Sequence, residues 1–214
     1  MLKPEPFLVD LLAGPTVPLL WFPDWLPRQQ ADCLLDALRA DIGWEQRSVN
    51  FGGRPVRVPR LVAWFGAEAY RYGGFTHAPQ PIPAPIAALL PELQACVAEQ
   101  LGPVPPFNSV LLNRYRDGQD SMSFHSDNER QLGPEPVIAS LSLGASRTLQ
   151  FRALHARQRL AGTLTHGSLL VMHGRSQADW QHAIPKEPCS GERINLTFRH
   201  TGPLRPGPLR QPAE

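Results

Sequence analysis

Hydrophobic and polar positions repeat with two different periods along this chain of 214 residues. Residues 27–41 carry apolar side chains three and four positions apart, and this spacing predicts an amphipathic helix that begins at Pro27. Residues 84–101 repeat the spacing and predict a second helix, whose main part begins or bends at Pro91. We therefore expect two helices in the first half of the chain.

Between these helices the pattern changes to an alternation of polar and apolar residues. Residues 44–51 and 54–65 alternate on either side of Gly52-Gly53, and two such runs around a glycine pair predict a β-hairpin. Residues 66–81 are rich in glycine, tyrosine and proline and predict a loop.

From residue 107 onward, short β-rich runs are separated by Gly, Pro and Asp. They predict strands at 107–115, 137–144, 146–152, 159–165, 168–173, 180–185 and 193–200. Many short strands at this spacing are typical of a sandwich or jelly roll. We expect a single domain over 1–214, in which residues 1–106 supply helices and hairpin, residues 107–200 form the β-core, and residues 201–214 are a flexible Pro-rich tail.

Composition narrows the class of protein without naming a partner. Apolar residues make up 42% of the chain and charged residues 19%, which is typical of a globular protein. A net charge of +2 does not by itself indicate nucleic-acid binding, so any basic patch must be local. Three widely spaced cysteines without a CxxC motif favour a reducing cytoplasm. The apolar N-terminal stretches are interrupted by Glu5, Asp10 and prolines, so we expect strand rather than signal peptide, and no membrane span.

The first candidate for chemistry is the His125-Ser126-Asp127 triplet. Residues two apart on an extended segment point to the same side, so both side chains can reach one metal ion. The motif also occurs by chance as a surface histidine beside a turn. Together with His182, however, the pair provides two imidazoles and one carboxylate. This set forms the facial triad of non-haem iron oxygenases, and a hydrolytic zinc site can use the same ligand types.

A second candidate is the alternating segment Arg-Ile-Asn-Leu-Thr-Phe-Arg. On a strand, its polar residues share one face: Arg193, Asn195, Thr197 and Arg199. Two buried guanidinium groups without anionic partners cost several kcal/mol each, and a dicarboxylate would satisfy them. An edge strand with a solvated arginine face is the alternative. Asn113 and Tyr115 alternate in the same way and could bind the same acid.

These motifs together resemble those of the AlkB-type Fe(II)/2-oxoglutarate dioxygenases. The similar runs are FNSVLLNRYRDGQDSMSFHSDNE, IASLSLGASRTLQFR, HGSLLVMHG, WQHAIP and ERINLTFRH, within roughly residues 45–200. The most similar subgroup contains the animal nuclear AlkB-like enzymes that repair duplex and single-stranded DNA. The resemblance implies an α+β fold with a double-stranded β-helix (jelly-roll) core, bracing helices and an N-terminal nucleotide-recognition hairpin or lid.

The resemblance also implies a reaction and its site. The expected reaction is oxidative demethylation of N1-methyladenine and N3-methylcytosine in DNA, with Fe(II), 2-oxoglutarate and O₂. The expected iron ligands are His125, Asp127 and His182. Arg193 would pair with the distal carboxylate of 2-oxoglutarate, and Arg199 would lie near its metal-chelating end and near Asp127. The cosubstrate would also receive hydrogen bonds from Asn113, Tyr115 and Asn195.

Base contacts are expected mainly from the hairpin and the loop that follows it. Phe51 matches the aromatic wedge that fills the gap left by a flipped base, which is useful because flipping costs a few kcal/mol. Tyr72 would stack on the base opposite the histidine ligand of the HxD motif, and Tyr70 would bond the base or a phosphate. Packing of Phe51 in the core, and of both tyrosines on the hairpin, is the alternative.

Charged residues complete the expected substrate site. Arg60 follows two hairpin arginines at a period of three, which is also compatible with a solvated edge strand. Asn128 departs from the acidic pair usual after this HxD motif, which leaves Glu129 as the candidate acid. A basic cluster (Arg152, His155, Arg157 and Arg159) fits phosphate contact and a solvated loop equally well. Trp180 is expected in the core.

Two other functions are compatible with the same residues. A 2-oxoglutarate oxygenase acting on RNA, protein or a small molecule would keep the triad and the arginines but would not need Phe51 or Tyr72. A non-enzymatic nucleic-acid-binding module would retain the fold with a vestigial site. For the repair enzyme we expect a monomer that acts on DNA or RNA in the cytoplasm, or in the nucleus of a eukaryote.

Overall fold

A computed structural model describes residues 3–5, 16–52, 54–72 and 75–203, and the side chains of residues 49–51, 72 and 75 lie outside the described part. Within these ranges the strands are β1 (Leu19–Phe22), β2 (Ser48–Phe51), β3 (Arg54–Arg57), β4 (Leu61–Gly66), β5 (Tyr70–Tyr72), β6 (Phe75–His77), β7 (Ser109–Tyr115), β8 (Met122–His125), β9 (Ile138–Gly144), β10 (Arg147–Ala153), β11 (Arg159–Leu164), β12 (Leu169–Met172), β13 (Trp180–Ile184) and β14 (Arg193–Arg199). The helices are α1 (Arg28–Asp41), α2 (Ala84–Ala87), α3 (Leu90–Leu101) and α4 (Ser176–Asp179).

Two antiparallel sheets form the core. The larger has the strand order β1-β12-β9-β14-β7-β4, and the smaller has the order β11-β10-β13-β8. Apolar residues from both sheets, among them Leu149, Leu170 and Ile184, pack into one buried cluster. The predicted jelly roll is therefore confirmed, as are all the strands predicted after residue 107. Strand β8 was not predicted, because its four residues are too few to give a periodic signal.

The helices brace the outer face of the larger sheet. Leu35 and Leu38 of α1 and Val97 of α3 share a buried cluster with Leu141 and Leu196 of the sheet. The predicted helix at 27–41 is confirmed. The predicted break near Pro91 is also confirmed, because α2 and α3 are separate and a proline stands in the first turn of each.

The predicted hairpin is correct in its turn and wrong in its length. Strands β2 and β3 pair on their own around the glycine pair, but the run 54–65 is divided between β3 and β4. The chain turns at Pro59, which cannot donate a ladder hydrogen bond, and β4 then joins the larger sheet beside β7. The predicted loop at 66–81 contains the short hairpin β5–β6, whose three-residue strands are too short to give a periodic signal.

The flexible tail expected over residues 201–214 is described only at its first residues. Residues 204–214 of the expected tail are outside the described residues. Thr201, in contrast, is buried and its N–H donates to Asn108 Oδ1 over 2.8 Å, so the ordered chain extends past the last strand. Among the described helices, none has the length and apolar character needed to cross a membrane.

Candidate metal centre

Two neighbouring strands bring the three candidate metal ligands together. His125 is the last residue of β8 and lies directly opposite His182 of β13. Asp127 follows two residues after the end of β8. One potential ligand atom from each of the three side chains lies within 4.8 Å of the others, a spacing that one metal ion can bridge.

The Asp127 carboxylate is buried, charged and half-satisfied. It is 1% exposed, and Arg199 Nη2 donates to its Oδ2 over 2.7 Å. Its Oδ1 has no hydrogen-bond partner in the described part of the chain. Burial by itself raises the pKa of this carboxyl, but Arg199, His125 and His182 outweigh burial and hold the pKa well below its usual range. One negatively charged oxygen is therefore left for a cation.

Both histidines of the cluster are neutral and can offer a lone pair. Burial, together with the neighbouring His125 and Arg199, lowers the pKa of His182 to about 3. Burial also lowers the pKa of His125. The Nδ1 of His125 lies 2.9 Å from the Ser123 carbonyl, which can only accept, so this nitrogen carries the proton and Nε2 keeps the lone pair. Two imidazoles and a carboxylate oxygen suit a divalent iron.

A narrow cavity of about 50 Å³ runs from this cluster between the two sheets. Its polar lining comes from β7, β9 and β14 in addition to the three candidate ligands: Asn113, Tyr115, Ser140, Arg193, Asn195, Thr197 and Arg199. The whole of β14 is buried between β9 and β7. This position excludes the alternative in which its arginines form the solvated face of an edge strand.

Arg193 provides a buried positive charge inside this cavity, with its guanidinium 5.4 Å from the centre of the Tyr115 ring. Its side chain is 1% exposed, and Nη2 donates to Ser142 Oγ over 2.9 Å. Its Nε and Nη1 are buried and have no hydrogen-bond partner among the described residues. Burial lowers the pKa of Arg193 to about 10, so it remains a cation at neutral pH. A buried cation with unused donors fits a carboxylate ligand.

The two cavity asparagines are already held by protein partners. Asn195 Nδ2 donates to Ser140 Oγ over 2.7 Å, and Asn113 Oδ1 accepts from Arg60 Nε over 2.8 Å. Arg60 is therefore not an exposed hairpin residue, because it lies after β3, 7% exposed, and turns inwards. Sequence reasoning missed Ser140 and Ser142, although both alternate with apolar residues along β9.

The expected base contacts are only partly placed. The side chains of Phe51 and Tyr72 lie outside the described residues. Tyr70 is fully buried and stacks on Trp64, with ring centroids 4.2 Å apart. Its hydroxyl lies near Glu129, whose pKa is raised by burial and by the nearby Asp127. Tyr70 thus packs in a buried cluster with Trp64, Leu111 and Leu132, and a phosphate at the surface would not reach it.

The basic cluster is split between a packed residue and an exposed loop. Arg152 donates to Gln181 and lies 4.5 Å from the Phe124 ring, which fixes it against β8 and β13. The other three members, His155, Arg157 and Arg159, are exposed. The expectation that Trp180 lies in the core is confirmed, since it is 3% exposed.

A jelly roll that gathers two histidines and an aspartate beside a buried, unpaired arginine defines a non-haem metal enzyme with an anionic cosubstrate. A family model described as the 2OG-Fe(II) oxygenase superfamily matches residues 18–199. The chain therefore belongs to the 2OG-Fe(II) oxygenase superfamily. Fe(II), 2-oxoglutarate and O₂ are the cofactor and cosubstrates of this family, and the cluster described above fits the metal.

Similar proteins refine the class to AlkB-type dioxygenases. The chain is 41% identical over 192 residues to "Alpha-ketoglutarate-dependent dioxygenase alkB homolog 3" from Rattus norvegicus, covering 85% of this chain and 63% of that protein. It is 35% identical over 208 residues to "DNA oxidative demethylase ALKBH2" from Arabidopsis thaliana, covering 85% of this chain and 65% of that protein. The chain thus spans slightly less than two thirds of these relatives.

A solved structure independently shows the same fold. "The structure of OsALKBH1" superposes with a TM-score of 0.61 at 16% identity, covering 87% of this chain and 100% of that chain. At this identity the match supports the fold alone. The resemblance stated from the sequence motifs is confirmed at the level of the family.

Proposed function

We propose that this protein removes methyl groups from N1-methyladenine and N3-methylcytosine in DNA by Fe(II)- and 2-oxoglutarate-dependent oxidation, as a direct-reversal repair enzyme. The observation that carries the proposal is the His125–Asp127–His182 cluster at one end of a cavity that also contains an unpaired arginine. The names of the AlkB-type relatives supply the substrate class.

In this proposal the three ligands hold the iron, and Arg199 keeps Asp127 correctly placed. Because Arg199 occupies Oδ2 of the carboxylate, Oδ1 would be the atom available to the metal. The bound iron supplies O₂ activation coupled to decarboxylation of 2-oxoglutarate, so that the methyl carbon is oxidised and leaves as formaldehyde. Burial lowers the pKa of both histidines, which favours the unprotonated form that a metal ligand needs.

The cavity residues orient the cosubstrate. Arg193 binds the distal carboxylate with the donors that the protein leaves unused. Asn113, Tyr115 and Asn195 border the same space, and Arg60 holds the side-chain amide of Asn113. Burial of these groups excludes water, which strengthens each charge-assisted contact.

For the substrate, we propose that the hairpin and the following strand receive the flipped base. Phe51 would fill the gap in the duplex, and Tyr72 would stack on the base, a contact worth about 1–3 kcal/mol. Glu129, near Tyr70, would face the positively charged lesion. The exposed arginines of β3 would approach the phosphates. Such an enzyme would work where DNA is, in the cytoplasm or in a nucleus.

The test is incubation of the protein with methylated oligonucleotides, single-stranded and duplex, followed by mass spectrometry of the nucleic acid. Loss of the methyl group only with both Fe(II) and 2-oxoglutarate is expected, and Asp127→Ala should abolish it. Methylated RNA and unmodified oligonucleotides serve as comparisons. If 2-oxoglutarate is consumed while methylated DNA stays unchanged, the iron site is retained and the proposed substrate is wrong.

A further inference from the structure

Asp127 is the member of the metal cluster whose backbone lies outside a strand. His125 and His182 stand opposite each other in paired strands, so the sheet fixes both. Asp127 follows the end of β8, and its N–H donates to the side-chain oxygen of Gln177 over 2.9 Å. The position of the carboxylate therefore depends on a side chain from another part of the chain.

Gln177 is itself fixed in one orientation. It lies in the short helix α4 immediately before β13 and is 3% exposed. Its Nε2 donates to Met172 Sδ and to Ser176 Oγ, each over 3.3 Å. Rotating the amide by half a turn would place its NH₂ group against the N–H of Asp127. The oxygen must therefore face Asp127, and the amide has no alternative arrangement of equal energy.

A second hydrogen bond joins the same two segments. Ser126 Oγ donates to the carbonyl of Trp180 over 2.8 Å. The stretch 176–182 thus holds both residues that follow His125 and also carries His182. Gln177 does not border the described cavity that contains Arg193, whereas Met172 does. Gln177 does line an open cleft together with His125 and Asp127, and among the described hydrogen bonds its contact with a candidate ligand is the one to the Asp127 N–H.

We propose that Gln177 is a positioning residue that sets the metal affinity by holding the backbone of Asp127, an inference that rests on the proposed iron site. Groups that orient metal ligands typically change affinity by about 10–100-fold when they are removed. A carboxylate with a loose backbone must be ordered when the metal binds, and this ordering weakens binding.

The experiment measures Co(II) binding by visible absorption and thermal unfolding of the metal-free protein. Gln177→Leu removes the acceptor, and we expect Co(II) affinity to fall by about tenfold or more. Gln177→Glu keeps an acceptor but loses the two donor contacts of the amide, so it should bind Co(II) more tightly than the leucine variant. Gln177→Asn is shorter by one methylene and cannot reach the Asp127 N–H, so it should bind Co(II) as weakly as Gln177→Leu. It provides a second test in case the leucine variant folds poorly.

Gln94 provides a matched control far from the metal cluster. Its Oε1 accepts from the Phe107 N–H over 3.1 Å and its Nε2 donates to the Val104 carbonyl over 3.1 Å, so it performs the same kind of backbone contact. Gln94→Leu should lower the unfolding temperature without changing Co(II) affinity.

The outcomes separate this inference from the proposed function. If the parent protein binds no Co(II), the metal site and the role of Gln177 both fall. If the parent binds Co(II) and Gln177→Leu and Gln177→Asn bind it equally well, only the role of Gln177 is refuted. If Gln177→Glu is as weak as the leucine variant, the acceptor is not what holds Asp127, and the inference is also refuted.

Discussion

Replacement of Arg193 by methionine should weaken 2-oxoglutarate binding while leaving the metal site intact. The side chain is buried, and two of its three guanidinium nitrogens, Nε and Nη1, have no partner among the described residues. If each nitrogen makes one charge-assisted hydrogen bond to the distal carboxylate, worth about 1.5 kcal/mol, the pair contributes about 3 kcal/mol. At about 1.4 kcal/mol per factor of ten, the KM for 2-oxoglutarate should rise about 100-fold.

The assay follows succinate formation against 2-oxoglutarate concentration at saturating Fe(II), and butanoate formation against the concentration of 2-oxopentanoate. That compound has a methyl group in place of the distal carboxylate. The parent should prefer 2-oxoglutarate by about 100-fold, and Arg193→Met should lose the preference because the cation that distinguishes a carboxylate from a methyl group is then absent.

Arg114→Met is the matched control. Arg114 precedes the cavity residue Tyr115 on β7, but its guanidinium pairs with Glu192, so the variant loses an ion pair without touching the cosubstrate. Its KM for 2-oxoglutarate should match that of the parent. If Arg193→Met leaves this KM unchanged, or weakens both oxo acids equally, Arg193 does not bind the distal carboxylate.

Three further changes test other parts of the site and fold. Arg199→Met leaves the buried Asp127 carboxylate without its cation and should destabilise the metal-free protein by about 3–5 kcal/mol in urea unfolding; no change would refute the pairing. Burial and Arg47 lower the pKa of His77 from 6.5 to about 4. As the pH decreases from 6.5 to 4, the unfolded chain binds a proton at this histidine before the folded protein does, so the free energy of unfolding should decrease. His77→Gln should flatten this dependence, and an equal slope would contradict it. Phe51→Ala should slow demethylation of duplex DNA far more than of single strands, and equal effects would exclude a wedge.

The metal cluster could be predicted from the sequence because its chemistry is unusual and its motif is short. His125 and Asp127 are two residues apart, and His182 lies in a run that reads as a strand. What the sequence could not provide was the pairing of β8 with β13, which brings the two histidines opposite each other. That pairing is a long-range contact without a local signal.

From the sequence, the polar face of β14 could either line a cavity or be exposed to solvent. Alternation along β14 identified the face that carries Arg193, but an edge strand and a central strand give the same pattern. The position of β14 between β9 and β7 resolves the question. Gln177 was not predictable at all, because a glutamine on a four-residue helix has no periodic pattern that reveals a distant backbone partner.

Two residues predicted to contact the substrate show the limits of reading side-chain direction from spacing. Arg60 continues the period of the hairpin arginines, yet the turn after β3 directs it inwards to Asn113. Tyr70 lies in a segment that reads as an exposed loop, yet β5 carries it into the interior against Trp64. In both cases a strand boundary that the sequence does not mark decides which way the side chain faces.

Methyl loss and succinate formation should be measured in the same reaction on an oligonucleotide that carries a single N3-methylcytosine. We expect one succinate for each methyl group lost, no loss without 2-oxoglutarate, and neither product with Asp127→Ala. Succinate formation that continues at the same rate with and without the methylated oligonucleotide, while its mass stays unchanged, would show that this iron enzyme does not repair alkylated DNA.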